Sequence, residues 1–273
     1  MEPKIILKLQ EIFTEKGWVT NSKAYERFVN CLNKLSLEEQ EFVLEVTNNY
    51  IYFGIEKYEE LVIKMFNKAY SESLLKKRKI IIVPLLKFTG DFENEMKQVK
   101  SSNLVAYIMK STAIQYFDWL RGKNISVYNF LNDNEIKQVN EKEQVVIFVD
   151  DYIGSGKTAF NCIEAYCERG LEKENFFIMS MFIESVAKKL FTEHEIKFID
   201  AEIKYNNIRD IYNEDFEEKE RMIRQIGRKI KAPDEYFLGY GEIGALLSLI
   251  RTPNNTLPFY WSTSKGRKAP FPR

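Results

Sequence analysis

The chain has 273 residues, of which 45% are hydrophobic, and this apolar fraction is enough to bury a substantial core in one large domain or two small ones. Its 40 lysine and arginine residues balance its 40 aspartate and glutamate residues. This balance excludes an overall electric field that would draw the protein onto nucleic acid, so any contact with a polyanion requires a local patch.

Cysteine usage and hydropathy predict a cytoplasmic protein. The three cysteines, Cys31, Cys162 and Cys167, are scattered and form no CxxC pair, which indicates a reducing compartment and no disulfide framework. Charges interrupt the opening stretch MEPKIILKLQEIF, unlike the apolar segment of a signal peptide. No apolar run approaches the roughly 18 residues that span a bilayer, so we expect no contact with a membrane.

Residues 1–75 are predicted to form a helical N-terminal subdomain. Ser36 followed by Glu39 is typical of a capping box that opens a helix, and residues 58–70 predict another helix. Apolar side chains recur at intervals of three and four residues, as in amphipathic helices: Ile5, Leu9, Ile12 and Phe13, then Tyr25, Phe28, Val29 and Leu32.

Residues 76–273 are predicted to form an α/β domain, with a mainly parallel sheet flanked by helices. Short apolar and β-branched runs predict strands at 80–85, 125–130, 145–149, 176–183 and 196–203. Helical patterns lie between or after them, at 105–120, 158–168, 185–194 and 214–231, the last with a charged, solvated face.

The segment VVIFVDDYIGSGKT, residues 145–158, is the candidate ligand-binding motif of the sequence. In a parallel sheet, ligands bind at the carboxyl ends of the strands, where loops lead into helix N-termini, and Asp150 and Asp151 follow such a strand. The next residues, Gly154, Ser155, Gly156, Lys157 and Thr158, are small or bear hydroxyl groups, apart from the cationic Lys157. Several backbone N–H groups can therefore approach one phosphate.

A nucleoside triphosphatase is the alternative for this segment, because Gly156-Lys157-Thr158 matches the end of the phosphate-binding motif GxxxxGK[ST]. That motif requires glycine at the position of Asp151. A carboxylate there would place negative charge where a β-phosphate should lie, which argues against this alternative.

A second block of sequence, TPNNTLPFYW at residues 252–261, predicts a rigid turn rich in amides. Asn254 and Asn255 are candidates for hydrogen bonds to a nucleobase. The equally weighted alternative is a packed turn whose amides satisfy the local backbone.

Residues 145–158 resemble the ribose phosphate signature of type I phosphoribosyltransferases, which has an apolar strand, two adjacent acids, two variable residues and a glycine-hydroxyl turn. Together with the helical N-terminal region and the stretches GYGEIGALL and TPNNTLPFYW, the chain resembles the phosphoribosyltransferase-like effectors of bacterial conflict systems, including those beside retron reverse transcriptases. The resemblance implies that Asp150 and Asp151 face the 2- and 3-hydroxyls of a ribose, while residues 154–158 hold its 5-phosphate.

The resemblance also implies a reaction and partners. Phosphoribosyl pyrophosphate or a nucleotide would be the ligand, exchange at C1 of the ribose would be the reaction, and Mg²⁺ would neutralise the pyrophosphate. The protein would serve antiphage defence as a toxic or signalling arm, with other proteins of a defence complex, such as a reverse transcriptase with its nucleic acid, as partners. The alternative is a non-catalytic nucleotide-sensing or partner-binding subunit with the same fold.

The sequence departs from the well-studied enzymes where they carry a pyrophosphate-binding loop after an earlier strand. No convincing short loop follows residues 80–85, where the candidates are Lys87, Thr89 and Gly90, or Lys100, Ser101 and Ser102. The single histidine, His194, lies in a charged helical end and is expected at the surface rather than in catalysis. With three dispersed cysteines it predicts no metal site.

Overall fold

The computed structural model describes residues 1–87, 100–141 and 144–273, apart from the side chain of Trp119. The helices are α1 Pro3–Glu15, α2 Lys23–Leu32, α3 Leu37–Asn48, α4 Tyr58–Ser71, α5 Ser101–Ile108, α6 Thr112–Gln115, α7 Asp133–Glu141, α8 Lys157–Glu168, α9 Ser185–Glu193, α10 Ile208–Tyr212, α11 Phe216–Lys229 and α12 Pro258–Trp261. The strands are β1 Ile51–Tyr52, β2 Lys79–Pro84, β3 Asn124–Val127, β4 Gln144–Ile153, β5 Phe176–Ile183, β6 Phe198–Asp200 and β7 Leu247–Ser248.

The chain divides into two compact units, one of residues 1–53 with 204–273 and the other of residues 54–203. This division does not follow the predicted boundary between residues 75 and 76. Helix α4 belongs to the second unit, and the C-terminal 70 residues join the N-terminal helices. The reason is a shared apolar core, in which Phe13 and Phe28 of the N-terminal helices belong to one buried cluster with Ile226 and Tyr260.

In the first unit, α1 to α3 form as their apolar periodicity predicts, with Leu9, Phe13 and Phe28 buried. The predicted capping box at α3 is present, because the Ser36 hydroxyl accepts from the Glu39 N–H and the Glu39 carboxylate accepts from the Ser36 N–H. Strand β1 pairs with β7 in parallel.

In the second unit, the predicted parallel sheet is present as a five-stranded sheet in the order β3-β2-β4-β5-β6, with every neighbouring pair parallel. Every residue of β5 is buried, as its largely apolar run predicts, and the hydroxyl of its one polar residue, Ser180, donates to the Phe182 carbonyl. The strand order reverses between β2 and β4, and in open α/β sheets such a reversal opens a crevice at the carboxyl ends of the strands. The sheet thus places the ends of β2 and β4 beside a candidate binding crevice.

Several predicted elements differ from those observed in this unit, among them the strands predicted at 125–130 and 196–203, which are observed as the shorter β3 and β6. The helical pattern at 105–120 is interrupted after α5, since Ser111 takes an extended backbone conformation before α6 begins. Strand β4 continues past the predicted end at Val149 to Ile153, because Tyr152 and Ile153 are buried and pair with Phe182 and Ile183 of β5. Within the described part of the chain, no helix has the length and apolar character needed to cross a membrane.

Candidate functional site

Asp150 and Asp151 lie at the carboxyl edge of the sheet, although they belong to the last residues of β4 rather than to a loop after it. Strand β4 pairs with β2 only as far as Val149, and the N–H group of Leu85 closes that ladder by donating to the Val149 carbonyl at 2.8 Å. On its other side, β4 pairs with β5 through Ile153. The two acids therefore project beyond the end of β2, at the reversal of strand order.

Asp151 is held inside the protein by two hydroxyl groups. Its Oδ1 accepts from the Ser101 hydroxyl at 2.8 Å and its Oδ2 accepts from the Tyr58 hydroxyl at 3.0 Å. The Asp151 side chain is 5% exposed, and Tyr58 is fully buried. Both oxygens of the carboxylate are thus engaged by residues that begin α4 and α5.

Asp150 is only half-buried, and its Oδ1 accepts from the Asp151 N–H group at 2.9 Å. Burial, followed by the negative charge of Asp151, raises the pKa of Asp150 well above its usual range. Burial also raises the pKa of Asp151, but the hydrogen bonds from Ser101 and Tyr58 oppose this rise. Because these donors favour the charged form, the pKa of Asp151 is raised less than that of Asp150.

The turn after β4 presents backbone donors at the same edge. Residues 154–156 form bends, and α8 begins at Lys157 with no side chain capping its first turn. Within the described residues, no hydrogen-bond acceptor takes the N–H groups of residues 154–158. Unpaired donors at a helix start, with the positive end of the helix dipole, form an anion-binding arrangement.

Gly156 gives this turn its shape. Its φ of +76° lies in the left-handed region, and a Cβ atom built there would lie 3.0 Å from the Cβ of Ala187 in α9. The turn is nevertheless open to solvent at its end, because Lys157 and Thr158 are exposed and Gly154 and Ser155 are half-buried. The turn is therefore approachable from solvent on the side of Lys157 and Thr158.

The candidates for a pyrophosphate loop fall into two groups. Thr89 and Gly90 lie outside the described residues, whereas Lys87 is exposed. At the start of α5, Ser101 donates to Asp151, and the Ser102 hydroxyl donates to the Leu85 carbonyl at 3.1 Å. The charge of Lys100 lowers the pKa of Asp150, so this ammonium group acts on the acid pair.

Asn254 and Asn255 lie in the first unit, within the turn that their sequence predicts. The Asn255 side chain is 7% exposed, and its Nδ2 donates to the Tyr240 carbonyl at 2.8 Å. The main-chain carbonyl of Asn254 accepts from the Tyr240 N–H at 2.8 Å. For Asn255, this geometry matches the packed-turn alternative, since its amide group satisfies the local backbone.

Two other residues considered in the sequence are the single histidine and a cysteine of α8. His194 is exposed at the end of α9, with its ring 4.3 Å from that of Phe160, and burial raises the pKa of the Cys162 thiol to about 12. Across residues 1–87, 100–141 and 144–273, no group of three or more histidine, cysteine or acidic side chains is placed to bind a metal ion.

Sequence reasoning missed Tyr58, and it considered Ser101 only for a pyrophosphate loop. Tyr58 is 93 positions before the aspartate that it contacts, and it was predicted only as the start of a helix. A buried tyrosine needs a partner for its hydroxyl, but nothing in the periodicity of α4 identifies that partner.

Comparison with known proteins gives a family and one distant structural likeness. The Helicobacter pylori xanthine-guanine-hypoxanthine phosphoribosyltransferase is 10% identical, with a TM-score of 0.30, and the match covers 62% of this chain and 97% of that one. No significant match was found among curated proteins. The PRTase-CE family matches residues 18–273, nearly the whole chain. The protein therefore belongs to the PRTase-CE family of phosphoribosyltransferase-like proteins.

Proposed function

We propose that the carboxyl edge of the sheet binds the phosphoribosyl group of phosphoribosyl pyrophosphate or of a nucleotide. Residues 154–158 hold the 5-phosphate, and the acid pair Asp150 and Asp151 serves the ribose hydroxyls. The proposal rests on one observation: a turn whose N–H groups have no acceptor among the described residues follows two acids, after two intervening residues, at the strand-order reversal.

The division of charge within this edge fits a ribose phosphate. Carboxyl groups are good hydrogen-bond partners for vicinal hydroxyls and poor neighbours for a phosphate, whereas bare N–H groups have the opposite preference. The acids and the donors are separated by the two residues Tyr152 and Ile153, which are buried and pair with β5. A sugar can thus span from one set of groups to the other.

We further propose that the protein is a phosphoribosyltransferase-type enzyme. In this reaction the bond between C1 and the pyrophosphate oxygen breaks, a nucleophile bonds to C1, and the pyrophosphate leaves with the bonding electron pair. The carbon develops positive charge, which the ionised Asp151 and the polar Asp150 offset, while phosphate binding aligns C1 with the nucleophile. Mg²⁺ would be held by the oxygens of the substrate pyrophosphate and would neutralise their charge.

Binding and turnover can be measured separately. Calorimetry with ribose 5-phosphate, phosphoribosyl pyrophosphate and nucleoside monophosphates tests the site, and chromatography of labelled phosphoribosyl pyrophosphate after incubation tests the reaction. We expect binding of at least one of these ligands and its loss in the double variant Asp150→Asn with Asp151→Asn. Absence of binding by the wild-type protein, with and without Mg²⁺, would overturn the proposal.

The rival function is a nucleotide-sensing or partner-binding subunit that uses the same edge without chemistry. Lys87 is exposed and the start of α5 is occupied by bonds to Asp151 and Leu85, so these described candidates give a pyrophosphate no evident cradle. Retention of labelled ligand without turnover, in the presence of the proteins of neighbouring genes, would select this rival.

We propose antiphage defence as the setting, on the strength of the sequence resemblance. The test is phage plating on cells that carry the gene with its neighbours. We expect protection by the wild-type gene and loss of protection by the double aspartate variant. Equal protection by both would separate defence from the ribose site, and no protection by either would remove the defence role.

A further inference from the structure

Asp151 and Asp150 differ in their hydrogen bonds and in their exposure to solvent. The Ser101 hydroxyl occupies Oδ1 and the Tyr58 hydroxyl occupies Oδ2, and the side chain is almost entirely withdrawn from solvent. Asp150 is half-buried, and the bond that the structure gives its carboxyl oxygen comes from the adjacent backbone N–H group. The two neighbouring acids are therefore not equivalent.

We propose that Tyr58 and Ser101 are positioning residues, which hold Asp151 as a fixed internal anion and leave Asp150 as the acid that meets the ligand. The inference rests on the proposed ribose phosphate site, and it assigns different roles to the two acids of that site. Neither Tyr58 nor Ser101 needs to touch the ligand.

The locations of the two donors support this assignment. Tyr58 begins α4 and Ser101 begins α5, so the hydroxyls reach Asp151 from two separate helices. Ser101 is flanked by Ser102, whose hydroxyl is anchored on the Leu85 carbonyl at the end of β2. The start of α5 is thereby fixed to the same sheet edge that carries the acids.

Holding an anion beside a second acid has a consequence for that second acid. Two ionised carboxylates on adjacent residues repel one another, and the better stabilised one keeps its charge. The hydroxyls of Ser101 and Tyr58 donate to Asp151, so Asp151 is the acid that keeps its charge. In this proposal Asp150 is protonated, and its carboxyl group can donate as well as accept towards a ribose hydroxyl. The charged groups that act on the pair include the Lys100 ammonium, which favours ionisation of Asp150.

The first test needs no ligand. Carboxyl-carbon NMR of protein with labelled aspartate would follow the titration of Asp151 in the wild type and in Tyr58→Phe with Ser101→Ala. We expect the midpoint for Asp151 to move to higher pH in the variant, because donors that favour the charged form are lost. An unmoved midpoint would overturn the inference.

The second test measures calorimetric affinity for phosphoribosyl pyrophosphate as a function of pH. The double variant should bind about tenfold more weakly near neutral pH, and the pH below which affinity falls should shift upwards. A variant that binds like the wild type at every pH would overturn the positioning role. If the wild type does not bind at all while the NMR midpoint moves, the proposed function fails and the holding of Asp151 stands.

The matched control is Tyr212→Phe. The Tyr212 hydroxyl also donates to a carboxylate, that of Glu45, at 2.9 Å, but both residues belong to the first compact unit. This variant loses the same kind of bond and should keep the wild-type affinity and pH profile. A reduction in affinity equal to that of the double variant Tyr58→Phe with Ser101→Ala would assign the effect to general destabilisation and would overturn the inference.

Discussion

Gly156 lies against Ala187, so that a methyl group at Gly156 would approach the Ala187 Cβ to 3.0 Å and its Cα to 3.2 Å. This contact joins the turn before α8 to helix α9, and it combines with a φ of +76° that other residues adopt only at a cost. Both constraints act on the turn that presents the N–H donors. The shape of the proposed phosphate site therefore depends on one residue without a side chain.

Gly156→Ala should lower the free energy of unfolding by about 1–3 kcal/mol through backbone strain, with an added cost from the contact. The matched control is Gly122→Ala, since Gly122 has a φ of +77° and no atom within 4 Å of the added Cβ. Urea denaturation of the two variants and the wild type measures the difference. Equal losses in both variants would mean that Ala187 places no constraint on the turn.

Asp150→Asn should change the pH dependence of stability. Burial and the Asp151 charge place the folded-state pKa of Asp150 above its unfolded value, which is about 3.9. The neutral carboxyl group is tolerated below that value, and its stabilising contribution is lost as the pH rises through the folded-state pKa. The free energy of unfolding of the variant, relative to the wild type, should therefore increase with rising pH.

Denaturation curves at about pH 4 to 8 would measure this trend. The control is Asp118→Asn, which removes an exposed carboxyl group in the same compact unit. The explanation fails if the difference in free energy of unfolding between Asp150→Asn and the wild type is constant over this pH range. The same variant should bind phosphoribosyl pyrophosphate more weakly. The wild-type carboxyl group would then favour ligand binding while lowering the free energy of unfolding.

Asn255→Ala should destabilise the first unit by about 1 kcal/mol, since the Tyr240 carbonyl loses its donor from a buried amide. Asn254→Ala is the comparison, because among the described residues its main chain, and not its side chain, makes a hydrogen bond, and its change should stay within about 0.5 kcal/mol. Thermal denaturation and nucleotide affinity decide between the two roles. Unchanged stability with reduced nucleotide affinity in Asn255→Ala would restore the nucleobase role.

The parts of the fold that sequence predicted are those that local rules determine. The run at 176–183, which is apolar except for Ser180, gives β5 its observed bounds, since a strand buried on both faces is apolar at nearly every position. The capping box of α3 follows from two residues three positions apart. The acid pair and the glycine-hydroxyl turn also lie within one short segment, so their adjacency at the sheet edge was accessible from the sequence.

The parts that sequence did not predict depend on contacts between distant segments. The unit boundary was placed after the N-terminal helices, because nothing local indicates that Phe28 shares a core with Tyr260. Residues Tyr152 and Ile153 were interpreted as variable loop positions, whereas pairing with β5 makes them strand. The unequal roles of the two acids likewise follow from Tyr58 and Ser101, which approach Asp151 only in the folded chain.

Lys157→Met should weaken binding of ribose 5-phosphate by about five- to tenfold while leaving stability almost unchanged. The side chain is exposed in the first turn of α8, so its ammonium group can add attraction to an anion held by the N–H groups without supporting the core. The loss should shrink as salt concentration rises, because screening reduces the contribution of an exposed charge. Calorimetry at low and high salt would measure both effects.

Lys189→Met is the control, since Lys189 is an exposed lysine of α9 that lies near Glu193. An equal loss of affinity in the control would assign the effect to the overall charge of the protein rather than to the phosphate turn.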